Sequence, residues 1–286
     1  MRVETIAVVG SGLMGRGIAY AAAAGGFRTI LHDVSSDALD RARKQVRADL
    51  DEAVARGKVA PADAAAALER LVPEPDFGRA VAKADFVIEA VPERIELKLQ
   101  VFARLDEQCA EGVVLASNTS SLSVTEIAAA TRRPQRVVGM HFFNPVPKMK
   151  LVEIVRGLET GEEPLRVTAD VAGRMGKETV VVRESPGFIT SRINAMIGNE
   201  AFFMLEEGVA SARDIDKALK MGLNHPMGPF ELVDLVGLDT RLSVLEFLHR
   251  TLGEKYRPAP LLVQHVKAGR LGKKAGRGVY DYPRDG

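Results

Sequence analysis

The chain of 286 residues is long enough for roughly two domains of about 150 residues each. Its composition is 46% apolar and 27% charged, as in an ordinary globular protein, and a net charge of +1 lacks the basic excess of a general nucleic-acid or membrane-surface binder. Its apolar runs fall well short of the roughly 20 residues of a membrane span, and a single cysteine, Cys109, excludes an intrachain disulfide.

The first predicted element is a β-branched strand at residues 5–9. It begins so close to Met1 that we expect no signal or transit peptide, and therefore a cytoplasmic protein. A glycine-rich turn, an Ala-rich helix to about residue 24 and a second strand at 27–32 follow, and Asp33 closes that strand. This order of strand, glycine turn, helix, strand and acid is typical of a dinucleotide-binding βαβ unit.

Each glycine of the turn has a physical task. Gly10 allows the tight turn, Gly12 lets the backbone approach a pyrophosphate, and Gly15 lets helix and strand pack closely. The helix N-terminus, at Leu13 and Met14, offers N–H groups and the positive end of its dipole to the phosphates.

Asp33 favours NAD over NADP as the cofactor. A carboxylate at this position can accept hydrogen bonds from the ribose 2′-hydroxyl and would repel a 2′-phosphate. The next residues, 34–37, include no arginine that could bind such a phosphate.

The helix that follows, predicted from Ser35 or Ser36 towards residue 56, is rich in basic side chains. A solvated helix face explains most of them. They are Arg41, Arg43, Lys44, Arg47, Arg56 and Lys58. A second, Ala-rich helix is predicted at residues 61–70.

Strands and helices then alternate, which predicts an α/β fold with a Rossmann-type, mostly parallel sheet. Ligands of such sheets lie beyond the carboxyl ends of the strands. We therefore expect four residues at such ends to converge on one crevice: Asp33, Glu93, Ser120 and His141. The predicted strands are 86–91, 113–117, 136–140, 151–155 and 179–182, and the predicted helices include 95–108 and 164–175.

Residues 139–155 carry the candidate catalytic pair. His141 ends one apolar strand-like run and Glu153 lies inside the next, and a Pro-interrupted connection at 144–147 can return the chain on itself. A neutral histidine, with an ordinary pKa of about 6.5, accepts protons well near pH 7. A carboxylate on its other nitrogen fixes the tautomer and stabilises the imidazolium. The alternative is a strand-capping His141 and a solvated Glu153.

The class of structure changes near residue 184. A long helix is predicted from Ser185-Pro186 to Gly208, and only helical segments follow. We therefore predict an NAD-binding Rossmann domain at 1–184 and an all-helical substrate and dimerisation domain at 185–286. The apolar stripe of the long helix suggests packing against a partner.

Four motifs, in this order, give the chain a close resemblance to the (S)-3-hydroxyacyl-CoA dehydrogenases, above all to the short-chain, single-activity type. The motifs are Asn118-Thr-Ser-Ser121, Gly139-Met-His-Phe-Phe-Asn-Pro-Val-Pro147, and the runs 227–239 and 272–280. The resemblance covers essentially the whole chain. It implies reversible, NAD-dependent oxidation of a short-chain acyl-CoA substrate and a homodimer formed through the helical domain, with no resident metal.

The resemblance also implies roles for single residues. His141 would be the general base, Glu153 its partner, and Ser120 the hydrogen-bond donor to the substrate's 3-oxygen. Cofactor contacts beyond the glycine turn and Asp33 would be Glu93, Lys98, Ser120 and Lys274. The basic helix would meet the CoA phosphates, with Lys44, Arg47 and Lys58 as candidates.

Two further positions have alternatives. Asn144 could bind the ketone or thioester region, or serve only as a turn residue before Pro145. Ser191 stands where the family usually has a substrate-positioning asparagine. A water or Asn194 would then take over that contact.

Two other functions fit the same fold. One is a non-catalytic NAD-binding sensor or structural protein, because a fold does not determine a function. The complete set of Ser120, His141 and Glu153 argues against it. The other is a dehydrogenase of free hydroxy acids or sugar acids, against which the histidine base stands, since several of those enzymes use a lysine.

Overall fold

The computed structural model describes residues 2–282, and the chain divides into two compact units between Ser185 and Pro186. The first unit is built on an eight-stranded sheet with the order β3-β2-β1-β4-β5-β6-β7-β8. Its strands are β1 Thr5–Val9, β2 Arg28–His32, β3 Leu71–Glu74, β4 Phe86–Glu89, β5 Val114–Ser117, β6 Val137–Phe142, β7 Leu151–Arg156 and β8 Glu178–Arg183.

The sheet is mostly parallel, as predicted. Strands β1 to β6 pair in parallel, whereas β7 runs antiparallel to β6 and parallel to β8. The strand order reverses between β1 and β4, which is the switch point where sheets of this type bind their ligands. The Rossmann-type fold is thereby confirmed.

Helices surround this sheet. They are α1 Leu13–Ala24, α2 Ser36–Ala55, α3 Pro61–Arg70, α4 Phe77–Val81, α5 Ile95–Gln108, α6 Val124–Ala129 and α7 Glu162–Arg174. All residues of β4, β5 and β6 are buried. Such continuous burial is typical of parallel strands covered on both faces.

Two elements of the first unit, β3 and α4, were absent from the prediction. Pro73 lies within β3 and cannot donate a backbone hydrogen bond, so the pattern did not indicate a strand. The structure tolerates it because β3 is the edge strand, paired only with β2.

The second unit is helical in its described part, again as predicted. Its helices are α8 Thr190–Glu206, α9 Ala212–Gly222, α10 Pro229–Val236, α11 Leu238–Leu252 and α12 Pro260–Lys267. The predicted start of α8 at Ser185 was wrong, because Gly187 and Phe188 have φ angles of +73° and +49°, outside the right-handed helical region. Within residues 2–282, none of the helices has the length and apolarity needed to span a bilayer.

Candidate active site

The turn between β1 and α1 has the shape that a dinucleotide needs. Gly10 has φ +103°, and a Cβ there would lie 2.6 Å from the carbonyl oxygen of Ala90 at the end of β4. At Gly15 a Cβ would overlap the carbonyl oxygen of Gly10. At Gly12, in contrast, no heavy atom lies within 4 Å of an added Cβ. The backbone at the start of α1 is therefore open to a pyrophosphate.

Asp33 lies beside this turn. Its Oδ2 accepts hydrogen bonds from the N–H and hydroxyl of Ser11 at 2.9 and 2.8 Å, and its Oδ1 accepts one from the N–H of Ser35 at 3.1 Å. Burial acts to raise the pKa of Asp33, but these hydrogen bonds outweigh it and hold the pKa below its ordinary value. The adjoining cavity of about 250 Å³, together with this ionised carboxylate, fits the adenosine half of NAD.

The same cavity contains a basic residue that was predicted only to be solvated. Arg41, on the second turn of α2, lines it together with Arg16 of α1. Arg41 lies beyond residues 34–37, the stretch in which an arginine for a 2′-phosphate was expected. The 3.6-residue helical period would have indicated Arg41, because Ala38 and Ala42 line the same cavity.

Replacing Asp33 by serine should reverse much of the cofactor preference. The variant loses the acceptor for the ribose hydroxyls, while Arg16 and Arg41 become available to a 2′-phosphate. We expect about tenfold weaker NADH binding and at least tenfold tighter NADPH binding, as for loss and gain of one charged hydrogen bond. Fluorescence titration with both cofactors measures this, with Asp37→Ser as the matched control. An unchanged NADH-to-NADPH affinity ratio would show that Asp33 does not select the cofactor.

A second cluster lies at the carboxyl ends of β4 and β5. Glu93 Oε1 accepts hydrogen bonds from the Thr119 hydroxyl at 2.6 Å, from the Ser120 N–H at 2.8 Å and from the Ser120 hydroxyl at 3.3 Å. Burial would raise the pKa of Glu93, but the Lys98 ammonium and these hydrogen bonds lower it. The structure thus brings Glu93 and Ser120 together, and the carboxylate holds the serine loop.

Lys98 lies behind Glu93. It projects from the first turn of α5, its side chain is 1% exposed, and its Nζ lies 3.3 Å from Glu93 Oε2 and 2.6 Å from Glu89 Oε1. The Lys98 ammonium is thus held between two carboxylates, and its contact with the cofactor stays a prediction. Glu89 was missed in the sequence, although a carboxylate in an otherwise apolar, buried strand is a recognisable signal.

His141 and Glu153 occupy directly opposed positions on the antiparallel strands β6 and β7. His141 Nδ1 lies 2.8 Å from Glu153 Oε2, and the two residues are 6% and 0% exposed. In the neutral imidazole, Nδ1–H donates to the carboxylate, so the lone pair that can accept a proton is on Nε2. This arrangement is that of an oriented general base.

A hydrogen bond of Asn118 connects the carboxyl ends of β5 and β6. Its Oδ1 accepts a hydrogen bond from the N–H of Phe142 at 3.0 Å, which connects the loop after β5 to the end of β6. The loop that carries Ser120 and the strand that carries His141 are thereby coupled. This role of Asn118 could not be predicted from its motif, because it depends on a contact between two strands of the sheet.

The remaining candidates lie farther along the chain. Asn144 is exposed after β6, and Lys44, Arg47 and Lys58 are exposed on or just beyond α2. In the second unit, Ser191 lies in the first turn of α8, and Lys274 Nζ donates to Asp239 at 2.7 Å. The roles of these residues stay predictions.

Comparison with known families gives matches along the two units. A family model described as "3-hydroxyacyl-CoA dehydrogenase, NAD binding domain" matches residues 5–185. One described as "3-hydroxyacyl-CoA dehydrogenase, C-terminal domain" matches residues 187–282.

Individual proteins are similar over nearly the full length. A probable 3-hydroxybutyryl-CoA dehydrogenase of Bacillus subtilis is 47% identical, over 99% of this chain and 98% of its own. A 3-hydroxyadipyl-CoA dehydrogenase of Escherichia coli is 45% identical, over 99% of this chain and 60% of its own. The crystal structure of an (S)-3-hydroxybutyryl-CoA dehydrogenase from Ralstonia eutropha superposes with a TM-score of 0.96 at 43% identity, covering 99% of this chain and 100% of that one.

Proposed function

We propose that short-chain (S)-3-hydroxyacyl-CoA thioesters, such as 3-hydroxybutyryl-CoA, are the substrates of this chain, which belongs to the 3-hydroxyacyl-CoA dehydrogenase family. It is an oxidoreductase that converts 3-hydroxyacyl-CoA to 3-ketoacyl-CoA with NAD. The names of its relatives support the chain length. The observation that carries the chemistry is the 2.8 Å contact between His141 and Glu153 in the sheet that also forms the dinucleotide turn.

His141 acts on the proton of the reacting alcohol. Its Nε2 accepts the proton of the C3 hydroxyl, and Glu153 stabilises the imidazolium that results. The Ser120 hydroxyl hydrogen-bonds the same oxygen. Bound NAD supplies the hydride acceptor for C3. In the reverse direction, the imidazolium polarises the ketone and returns the proton. Base catalysis of this kind contributes about 10²–10⁴-fold.

The substrate contacts away from C3 are proposed from the family resemblance and from exposure. Lys44, Arg47 and Lys58 are exposed cations suited to the CoA phosphates. Asn144 and Ser191 are assigned to the acyl thioester, and Lys274 to the cofactor. Replacing each basic residue by glutamine and measuring KM for the thioester separates the CoA contacts from the merely solvated side chains.

An NADH-consumption assay with acetoacetyl-CoA tests the proposed function. We expect NADH oxidation with acetoacetyl-CoA, a lower kcat/KM with longer 3-ketoacyl-CoAs, and little activity with NADPH or with free acetoacetate. Tight NADH binding without turnover of any of these thioesters would instead favour a non-catalytic NAD-binding protein. A higher kcat/KM for long chains would contradict the proposed substrate length.

We infer that two chains associate through the second unit. Its exposed surface includes large apolar side chains that association would remove from water. They include Val209, Met221, Leu223, Leu235 and Val236, at 63%, 77%, 66%, 52% and 42% exposure. Sedimentation should give twice the 30.9 kDa chain mass, and a stable single-chain mass would contradict the inference.

We also propose that the protein acts in the cytoplasm. The one cysteine, Cys109, is a buried free thiol, which fits a reducing compartment. Fractionation of the source cells tests this, and recovery from an oxidising compartment would contradict it.

A further inference from the structure

Glu89 forms the centre of a buried polar cluster that the mechanism above does not use. It is the last residue of β4 and is 0% exposed. Its Oε1 accepts hydrogen bonds from the Lys98 ammonium at 2.6 Å and the Val91 N–H at 2.7 Å, and its Oε2 accepts one from the Ser117 hydroxyl at 2.6 Å. An ammonium and a backbone N–H donate to one oxygen and a hydroxyl donates to the other, which is the pattern around an acceptor-only carboxylate.

The cluster has an unbalanced charge. Lys98 is the one ammonium between two carboxylates, Glu89 at 2.6 Å and Glu93 at 3.3 Å. One net negative charge therefore remains. Because Glu89 and Lys98 are excluded from water, its field is screened far less than that of a surface charge.

The topology places this charge on one side of the dinucleotide site. Asp33, at the end of β2, lies on the adenosine side of the switch point between β1 and β4. The ends of β4 and β5 then face the other nucleotide, which carries the nicotinamide. The cluster also adjoins the glycine turn, since the residue after Glu89 is Ala90, which closes around Gly10.

We propose that Glu89, acting through Lys98 and Glu93, favours binding of the oxidised cofactor, NAD⁺, over binding of the reduced cofactor, NADH. The nicotinamide ring of NAD⁺ is cationic and the dihydronicotinamide ring of NADH is neutral, so a net negative charge nearby stabilises only the former. Without Glu89, Lys98 would neutralise Glu93 and this preference would be lost. The inference rests on the proposed function, and Glu89 is a positioning residue because it acts through its two neighbours.

The test compares the dissociation constants of NAD⁺ and NADH, measured by equilibrium titration without an acyl-CoA. Glu89→Gln and Glu93→Gln each bring the net charge of the cluster to zero. We expect the ratio of the NAD⁺ to the NADH dissociation constant to rise about tenfold in both. The double variant Glu89→Gln/Lys98→Met restores a single negative charge, and its ratio should return to within about twofold of the wild-type value.

Two controls separate charge from packing. Ser117→Ala removes a hydrogen bond to Glu89 without changing the charge, and Glu107→Gln removes an exposed charge at the far end of α5. Neither should change the ratio. If Glu89→Gln does not fold, as judged by circular dichroism, Glu93→Gln and the double variant decide the question.

An unchanged ratio in either folded single variant would overturn the inference, as would an equal shift in Ser117→Ala. Its failure is distinguishable from that of the proposed function. A wild-type protein that oxidises 3-hydroxyacyl-CoA while its variants keep the same ratio contradicts only the role of Glu89. A wild-type protein that binds neither form of the cofactor contradicts both proposals.

Discussion

His141→Asn should lower kcat for acetoacetyl-CoA reduction by about 10³-fold, while the dissociation constant of NADH stays within about threefold of the wild-type value. Asparagine keeps a hydrogen-bonding group near the substrate oxygen but cannot supply or take up a proton. Steady-state NADH oxidation measures kcat, and fluorescence titration measures cofactor binding.

The control for this variant is His249→Asn in the second unit, where His249 pairs with the exposed Glu254. It should retain wild-type turnover. If His141→Asn kept more than about a tenth of the wild-type kcat, the proton would have to pass through another group, and the role given to His141 would be wrong.

Glu153→Gln should lower kcat by about 10²- to 10³-fold with little change in NADH affinity. The amide has nearly the shape of the carboxylate but no charge, so the imidazolium is no longer stabilised. Its NH₂ group can also donate to Nδ1 of His141, which favours the tautomer with hydrogen on Nε2. That tautomer has no lone pair on Nε2 to accept the substrate proton.

Thermal melting shows whether this buried substitution leaves the protein folded. Glu178→Gln, an exposed acid on the neighbouring strand β8, is the matched control and should be fully active. Wild-type turnover in a folded Glu153→Gln variant would show that Glu153 has only a structural role beside β6 and none in catalysis.

Local sequence patterns predict those parts of the fold that depend on residues close together in the chain. The spacing of Gly10, Gly12 and Gly15 between a strand and a helix predicts the turn, although the close contact at Gly10 is with Ala90 after β4. Two strand-like runs joined by a Pro-containing connection predict that the strands of His141 and Glu153 can return on each other. Their antiparallel register, in contrast, depends on pairing such as Gly139 with Val155, and only the structure shows it.

The features that the sequence did not predict depend on contacts between separate elements of the fold. The complete burial of Lys98 between Glu89 and Glu93 is one such feature, because Lys98 follows Leu97 on an amphipathic helix and no local feature distinguishes it from a solvated lysine. Strand β3 could not be predicted because it contains Pro73, which cannot donate a backbone hydrogen bond; the structure accommodates this proline because β3 is an edge strand. The helical period places Arg41 on the same face as Ala38 and Ala42, but only the structure shows that this face lines a cavity together with Asp33.

The proposed base catalysis requires that His141 reaches the reacting oxygen, and a crystal structure of the ternary complex with NAD⁺ and acetoacetyl-CoA would show whether it does. We expect His141 Nε2 within about 3 Å of the 3-oxygen and C3 within about 3.5 Å of the reactive nicotinamide carbon. A complex in which the imidazole lies out of hydrogen-bonding reach of that oxygen, with another side chain in its place, would contradict it.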